Sequence, residues 1–598
     1  MENKKQAIIL SGVAIVALLA LIIGATYAYF RASGNSGSNT DINVTTYTLD
    51  LLSFEMGSDI KINADQTSFA SGKGNATGST FAKAILTANN KTNTATKNYY
   101  MYLNISNNTF TYTQNENTPE LLLTITDVSG NAITSITGLT YKTVIDGKGT
   151  SVSGFDITTK SGLLTLFDNR EITASPTKTE EWNVTVTFVN YNVNQTGNAG
   201  KSFNAKLMIQ QEEYELTLAD ICAGKTLSDC VISQYTGTQG DNALYYHNST
   251  LTNGAGDNSY RYAGGDYVLT EAGKATGATM MIGYNNSVTT ALIDFYCNGT
   301  KQYVGYSSSC STSHYYLIKG DTTQYQTYNE ALNASVEKGY LTKDNVKNFV
   351  CFGSDATTCP TENLYRIIGV FNNHVKLIKY DYAKSSLLGT DGDFSQEYTS
   401  NYFSGEQGES PSSNSLYYWN NAGTNTWSAS KLNTVNLNTN FTTNIGTAWA
   451  NKIATTTWKV GGGTYANLRD AVPKTAYQYE VGSSASTTTY DAKIGLMYVS
   501  DYYYSASPSA WTLVGYNSDY TKSYASAKGE NWLYGGGWDW TISRDSDFSN
   551  NAFFVLSNGN VSYFNVLSSS GVRPSFSLLS STTYVSGSGS MSDPVRIN

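Results

Sequence analysis

The chain has 598 residues, enough for about two to four domains, and only 14% of them are charged, well below the usual quarter. The net charge of −9 is spread thinly and includes no basic block. Because phosphate contacts need clustered lysine and arginine, this composition argues against nucleic-acid binding. Ser, Thr, Asn and Gly supply the polarity, and 46 tyrosines raise the aromatic share to 13%, which is typical of β-rich proteins.

The N-terminus predicts an export signal. Lys4 and Lys5 precede an apolar run over residues 7–23. A positive start, an apolar middle and a small-residue exit are typical of a secretory signal or a membrane anchor, with the N-terminus inside. Continued to Phe30, the run is also long enough to span a bilayer, which takes about 20 residues.

Two outcomes compete at this leader. The small residues Gly24, Ala25 and Ala28 favour cleavage between Ala28 and Tyr29, which would make residues 1–28 a signal peptide. Retained, the same helix would be a single-pass anchor in the membrane. In both cases we expect the chain after it to lie outside the cytoplasm.

Six cysteines fall into three local couples. Their even number, short spacing and exported context predict disulfides: Cys222 with Cys230, Cys297 with Cys310, and Cys351 with Cys359. The connectivity stays open, since six cysteines allow about 15 pairings. A zinc site needs converging thiolates, often with histidine, and the three histidines lie far apart. No metal and no cofactor are expected.

Residues 40–213 alternate apolar and polar positions in short segments between turns. This period of two marks strands with one face on a core. The clearest segments are residues 46–51, 99–105, 121–126, 182–188 and 203–209. Many short strands with regular turns predict an antiparallel β-sandwich over residues 29–213.

Three features at the start of this region carry a family resemblance. They are the signal ending in Gly24 to Ala28, the aromatic pair Tyr29-Phe30, and the later stretch Thr48 to Leu51. On them, the first third resembles the camelysin and TasA family of secreted biofilm-fibre proteins. The resemblance implies cleavage after Ala28, a jelly-roll domain, and polymerisation by lending the N-terminal segment to a neighbouring sheet. Arg31 and residues 42–44 depart from the family pattern.

Strand addition would be the physical basis of such assembly. Residues 42–52 alternate apolar and polar positions, so they could add to an open sheet edge of another copy or of another surface protein. The alternative is that they form the first strand of their own domain. A donor strand leaves no unique mark in the sequence, so both remain open at this point.

Residues 214–361 show a different pattern. Short helices are predicted at residues 216–221 and within 328–350, with glycine- and serine-rich stretches around the cysteines. We interpret this region as a connector pinned by disulfides. Each small loop closed by a disulfide would contribute roughly 2–3 kcal/mol.

Residues 362–598 predict an α+β domain. Asn372-Asn373 and Asn558-Gly559 are hairpin signals. Helical patches are predicted near residues 428–435 and 445–453. Strands are predicted at residues 365–371, 375–379, 494–499, 540–544, 552–556 and 561–564.

Several separated motifs carry a second resemblance. They are Cys351 to Asp355 with Cys359-Pro360, Leu364 to Phe371, Lys493 to Met497, Ser557 to Gly559, Gly571 to Pro574, and Gly587 to Gly589 with Asp593-Pro594. Together they resemble a domain of unknown function abundant in exported proteins of gut Firmicutes. The arrangement is similar to the C-type-lectin and sulfatase-modifying-factor fold group. The enzymes of that group use a reactive cysteine pair, and here no cysteine follows Cys359, so that activity is not expected.

Residues 530–540 concentrate aromatic side chains beside three glycines and acids. Aromatic faces with a few polar partners suit sugar rings and protein surfaces. Trp532, Trp538, Asp539 and Arg544 are therefore the candidate ligand-binding residues. The alternative is core packing, which we favour for Trp540.

No catalytic residues are predicted. Nucleophilic catalysis needs a serine or cysteine beside a base, and no histidine has such a setting. Asp539, Asp545 and Glu530 could act on glycans as a carboxylate pair, but no spacing singles them out. Residues 389–393 resemble a calcium loop but lack its closing glutamate, so a turn is expected.

The sequence thus predicts an exported cell-surface or biofilm-matrix protein that adheres or presents a ligand without catalysis. One alternative is a glycan-active extracellular enzyme with a carboxylate pair in the C-terminal domain. The other is a membrane-anchored receptor ectodomain.

Overall fold

The computed structural model of the protein describes residues 50–64, 73–89, 93–214, 216–282, 289–302, 313–343, 345–398 and 414–598. The fold is mainly β, and its contacts divide the chain into two compact units, Met1–Leu216 and Thr217–Asn598. The predicted leader, the cleavage position after Ala28 and most of the predicted donor segment lie outside the described residues. Among the described residues, no helix has both the length and the apolar character needed to cross a bilayer.

The described residues of the first unit form ten strands and one short 3-10 helix, Thr196–Asn198. In chain order the strands are β1 Leu51–Met56, β2 Ile60–Asn63, β3 Ala76–Thr87, β4 Ala95–Asn108, β5 Leu121–Asp127, β6 Tyr141–Ile145, β7 Ser151–Asp156, β8 Gly162–Ala174, β9 Thr177–Phe188 and β10 Ser202–Gln210.

Two sheets of this unit share one hydrophobic core. The six-stranded sheet has the order β1-β3-β9-β5-β7-β6, and the four-stranded sheet has the order β2-β10-β4-β8. Alternate residues of β3, such as Ala84 and Leu86, and of β4, such as Met101 and Leu103, are fully buried in that core. The residues between them on β3 are less buried. The alternation of apolar and polar residues in the sequence therefore matches the alternation of buried and less buried side chains.

Four of the five strand predictions for this region are confirmed, and of the fifth, residues 46–51, only Asp50 and Leu51 are described and only Leu51 lies in a strand. Residues 99–105, 121–126, 182–188 and 203–209 lie in β4, β5, β9 and β10. Leu51 and Leu52, the end of the predicted donor segment, lie in β1 opposite Thr87 and Leu86 of β3. β1 is an end strand of the six-stranded sheet.

The second unit contains strands β11 to β33. They are β11 Leu244–Tyr246, β12 Tyr260–Tyr262, β13 Val268–Leu269, β14 Met280–Ile282, β15 Ala291–Cys297, β16 Thr300–Gln302, β17 His314–Ile318, β18 Leu341–Thr342, β19 Phe349–Cys351, β20 Leu364–Phe371, β21 His374–Lys379, β22 Phe394–Tyr398, β23 Asn414–Tyr418, β24 Thr456–Lys459, β25 Thr489–Ala492, β26 Ile494–Gly495, β27 Asp539–Arg544, β28 Asn551–Val555, β29 Val561–Asn565, β30 Ser569–Ser570, β31 Ser575–Ser577, β32 Tyr584–Ser586 and β33 Arg596–Ile597.

Its helices are short. The α-helices are Leu218–Cys222, Leu227–Ser233, Glu271–Ala275, Tyr328–Glu337, Ser385–Leu388, Thr442–Asn444, Thr447–Ala450, Tyr465–Leu468, Pro473–Glu480 and Val499–Tyr504. A π-helix spans Leu432–Phe441. In the part of this unit that the structure describes, the 3-10 helices are Asp241–Ala243, Thr361–Asn363, Trp427–Ala429, Pro508–Thr512, Tyr520–Lys522 and Tyr524–Glu530.

A seven-stranded sheet forms the centre of the second unit. Its order is β11-β12-β20-β21-β31-β26, and β19 pairs with the other part of β20. β11, β12 and β19 lie within the predicted connector, residues 214–361, and contribute directly to this sheet. One large core extends from Cys222 to Ile597, and a smaller core lies between β14–β17 and the helix Tyr328–Glu337.

Two of the three predicted disulfides are confirmed. Cys222 bonds Cys230 and Cys351 bonds Cys359, each across eight positions of sequence. Cys310 lies outside the described residues, so its predicted bond to Cys297 stays a prediction. The two observed bonds indicate that the chain folds in an oxidising environment.

The hairpin between β20 and β21 follows from its turn residues. Asn372 and Asn373 have φ angles of 48° and 63°, in the left-handed region that a two-residue hairpin turn requires. The predicted hairpin between β28 and β29 is also observed, with Gly559 at φ 87°. Both predictions are confirmed.

Two predicted elements differ in the structure. The helix expected over residues 428–435 is instead a 3-10 turn followed by the π-helix, in which the Asn436 amide donates to Leu388 O at 2.8 Å. The strand expected over residues 494–499 ends at Gly495. Residues 498 and 499 are not strand because the Asp501 carboxylate accepts a hydrogen bond from Tyr498 N–H and caps a helix that starts at Val499.

Candidate functional site

Trp532 lies in the core of the second unit. Its side chain is 4% exposed, and its indole N–H donates to Tyr262 O at 2.8 Å. The Arg366 guanidinium lies 4.6 Å from its ring. A ring enclosed in this way by a cation and a strand backbone stabilises the fold and is closed to a ligand from solution.

Asp539 starts β27 and is also buried. Its Oδ2 accepts hydrogen bonds from Arg573 Nε at 2.6 Å and lies 2.5 Å from Nη2. Arg573 Nη2 also donates to Leu533 O, so this arginine braces the chain on both sides of the candidate segment. Burial raises the pKa of Asp539 to about 6, and the attraction of Arg573 opposes that shift.

Arg544 ends β27 and holds a glycine loop. Its Nε donates to Gly461 O at 3.0 Å, and its Nη1 lies 3.4 Å from the side-chain oxygen of Asn425. A Cβ on Gly462 would lie only 1.9 Å from Arg544 O, and the glycine has a φ of 62°. The loop at 461–463 therefore packs backbone against backbone, which requires glycine at its centre.

Trp538 is the candidate residue that faces solvent. Its side chain is 40% exposed, and its ring meets the rings of Phe554 and Phe564 edge-on at 6.1 and 6.3 Å. Phe564 is 43% exposed, whereas Phe554 is buried beneath both. We call Trp538, Phe554 and Phe564 the tryptophan surface. Trp540 is buried, with its indole N–H on Tyr417 O, which confirms its predicted place in the core.

The three candidate acids have separate surroundings. Asp539 pairs with Arg573, as described above. Asp545 is fully buried, its Oδ1 accepts a hydrogen bond from Asp547 N–H, and burial raises its pKa. Glu530 is half-buried and accepts a hydrogen bond from the Ser509 hydroxyl at 3.3 Å. Asp539 and Asp545 are thus closed to solvent, while a glycosidase needs both of its carboxyl groups beside the substrate.

The structure contains a second group of aromatic side chains that was not predicted from the sequence. The rings of Tyr465, Tyr516 and Tyr563 surround the Arg469 guanidinium at 5.1, 5.0 and 5.5 Å. Tyr465 and Tyr516 are each more than a third exposed. We call these four residues the tyrosine cluster. Tyr465 and Arg469 are four positions apart, a spacing that favours a contact between their side chains. The loop residue Tyr516 and the β29 residue Tyr563 are distant from them in the sequence, so no local pattern indicated their contacts with Arg469.

The aspartates of the predicted turn at 389–393 are occupied by the protein. The Asp393 carboxylate accepts hydrogen bonds from Asn421 N–H at 2.8 Å and Leu432 N–H at 2.6 Å. Asp391 Oδ1 accepts a hydrogen bond from the Asn440 amide at 2.6 Å. Within the described ranges, no group of three or more His, Cys, Asp or Glu side chains could hold a metal ion.

The four candidate ligand-binding residues therefore do not form one site. Trp532, Asp539 and Arg544 hold the fold around β27, and Trp538 faces solvent. No protein-family model matches the chain, and no curated protein matches it significantly.

Proposed function

We propose that this protein is an exported, non-catalytic surface or matrix protein whose second unit binds a glycan on exposed aromatic rings. The observation that carries the proposal is the tryptophan surface, where two large rings lie open to solvent on a buried third ring. Adjoining exposed aromatic rings are unfavourable in water unless a partner covers them. Their flat apolar faces suit the apolar face of a sugar ring.

We also propose a specific β architecture for each of the two units. Two sheets that share one core support an antiparallel, jelly-roll-like β-sandwich in the first unit. For the second unit we propose a C-type-lectin-like character, supported by its hairpins, short helices and long irregular loops. The likeness to biofilm-fibre proteins and to the gut Firmicutes domain remains part of this proposal.

We propose export through the leader at residues 1–28. The apolar run and the two observed disulfides support an extracellular location. Mass determination of the protein from its native producer tests the mode of export. A chain that starts at Tyr29 indicates release, whereas an intact N-terminus indicates a retained membrane anchor.

Assembly with other copies, or with other surface proteins, would use strand addition. β1 is an end strand that pairs with β3, and the predicted donor, residues 42–52, ends in the first two residues of β1. Electron microscopy of the mature protein, with and without residues 29–45, tests this part. Filaments that disappear on truncation support strand exchange, and monomers in both samples contradict it.

A glycan array tests the binding role. We expect the wild-type chain to bind a subset of glycans and Trp538→Ala to lose that binding. Tyr479→Ala is the matched control, because Tyr479 is also about 38% exposed but lies outside both aromatic groups. Chromatography of each bound glycan after incubation tests the enzyme alternative. Unchanged glycans support binding without catalysis, and shortened glycans support a glycan-active enzyme.

A further inference from the structure

One acid of the first unit is buried without a cation. Glu120 precedes β5 and is fully buried, and in the described part of the chain no lysine, arginine or histidine pairs with it. Its Oε1 accepts hydrogen bonds from the Thr113 hydroxyl at 2.5 Å and from the backbone N–H of Thr113 at 3.0 Å. Its Oε2 accepts a hydrogen bond from the Gln195 side-chain amide at 2.5 Å. One carboxylate thus connects a hydroxyl and a carboxamide from two different loops.

The carboxamide of Gln195 is fixed on every side. The residue is 1% exposed, and its Nε2 also donates to Val189 O at 2.9 Å. Its Oε1 accepts a hydrogen bond from Tyr191 N–H at 2.9 Å. A backbone N–H on this oxygen stabilises the negative charge that develops there when a nucleophile attacks the amide carbon.

We propose that Thr113 and Gln195 become joined by an intramolecular ester bond. The Glu120 carboxylate accepts hydrogen bonds from both the Thr113 hydroxyl and the Gln195 amide, and Tyr191 N–H donates to Gln195 Oε1. These residues thus supply the nucleophile, the proton carrier and the oxyanion donor that acyl transfer requires. The link would tie the loop before β5 to the loop after β9. It is independent of the proposed ligand-binding role, because it lies in the first unit.

The reaction needs no other reagent. Thr113 Oγ1 attacks Gln195 Cδ while Glu120 Oε1 removes the hydroxyl proton. In the intermediate the negative charge on Gln195 Oε1 is stabilised by Tyr191 N–H. The bond between Cδ and Nε2 then breaks as Glu120 passes the proton to Nε2. Ammonia leaves, the ester remains, and the carboxylate returns to its starting state.

Mass spectrometry of the full chain tests the proposal. The folded protein is digested with pepsin at acidic pH, where esters persist, and the peptides are sequenced. We expect one branched peptide that contains both Thr113 and Gln195 and weighs one ammonia less than its two parts together. Hydroxylamine should split it and leave a hydroxamate at position 195. Two separate peptides, with residue 195 as an amide or as a free acid, would overturn the proposal.

Variants test the assigned roles. Thr113→Val and Glu120→Gln should lose the branched peptide, and Thr113→Ser should retain it. Thr118→Val is the matched control, since its hydroxyl lies in the same loop but 3.4 Å from Asn115 Oδ1, and this variant should remain linked. A branched peptide in Thr113→Val would contradict the assignment. If that variant does not fold, the wild-type digest still decides.

Discussion

Replacing Arg366 by methionine removes a buried cation that joins three stretches of the second unit. Arg366 lies in β20, and its guanidinium holds the Asp266 carboxylate through two hydrogen bonds of 2.7 Å. It also donates to Asn348 Oδ1 at 2.6 Å and to Val346 O at 3.1 Å. Asp266, Val346 and Asn348 belong to the predicted connector, so this substitution tests whether residues 217–361 fold together with the rest.

The expected cost follows from burial. Breaking a buried ion pair by removing one partner costs about 3–5 kcal/mol, because the other charge stays desolvated. Arg366 is buried, but the Asp266 side chain keeps 26% exposure and can regain some water. We therefore expect Arg366→Met to lower the free energy of unfolding by about 3 kcal/mol. Arg366→Lys should cost less, about 1–2 kcal/mol, because an ammonium keeps the charge but loses the planar fork.

Urea unfolding followed by tryptophan fluorescence measures this change, since the Trp532 ring lies beside the guanidinium. Glu271→Gln is the matched control. It breaks the Lys274–Glu271 pair of the same length, 2.7 Å, whose side chains are 56% and 90% exposed, and should cause no measurable change. If Arg366→Met were as stable as this control, the buried ion pair of Arg366 and Asp266 would not stabilise the second unit as proposed.

Three further predictions concern the second unit. Burial and the charge of Arg261 hold the pKa of His247 well below its usual range. The unfolded chain then binds the extra proton, so the free energy of unfolding should fall by up to about 1.4 kcal/mol per pH unit below pH 6.5. Urea unfolding of the wild-type chain at pH 7 and pH 5 should show this loss of stability. An equal loss in His247→Gln would contradict its assignment to His247. Asn373 has a φ of 63°, so Asn373→Ala should lower the free energy of unfolding by about 1 kcal/mol, whereas Asn373→Gly should leave it unchanged. Urea unfolding measures both variants, and equal stabilities of the two would contradict this prediction. Replacing Cys351 and Cys359 together by serine should lower stability by about 2–3 kcal/mol in calorimetry, and an unchanged transition contradicts it.

Local patterns predicted much of the strand structure. The period of two located β4, β5, β9 and β10, and turn residues located the hairpins β20–β21 and β28–β29. These strands and turns were predictable because the signals for them, alternating apolar residues and turn residues, lie close together in the sequence. The spacing of the cysteines likewise predicted the disulfides of Cys222 and Cys351.

Contacts between distant residues could not be predicted in this way. The π-helix Leu432–Phe441 depends on amides that reach Leu388 and Ile494. The pairing of β12 with β20 joins residues separated by about a hundred positions in the sequence. No local pattern records such partners, so the sequence alone could not show that β12, within the predicted connector at residues 214–361, pairs with β20.

The candidate site shows the same limit. Residues 530–540 are aromatic and acidic, but the sequence does not show that Arg366 and Arg573 hold Trp532 and Asp539 in the core. The partners of Trp538 and the members of the tyrosine cluster come from strands and loops that only the fold brings together. The composition of residues 530–540 therefore indicated an aromatic surface, but the tertiary contacts decide which aromatic rings are exposed to solvent.

The most direct test of the proposed function is a binding isotherm of the full chain for a glycan selected on the array. We expect saturable binding that Trp538→Ala weakens at least about tenfold, about 1.4 kcal/mol, and that Tyr479→Ala leaves unchanged. Equal affinities of wild type and Trp538→Ala, with both proteins folded, would contradict the assignment of glycan binding to the tryptophan surface.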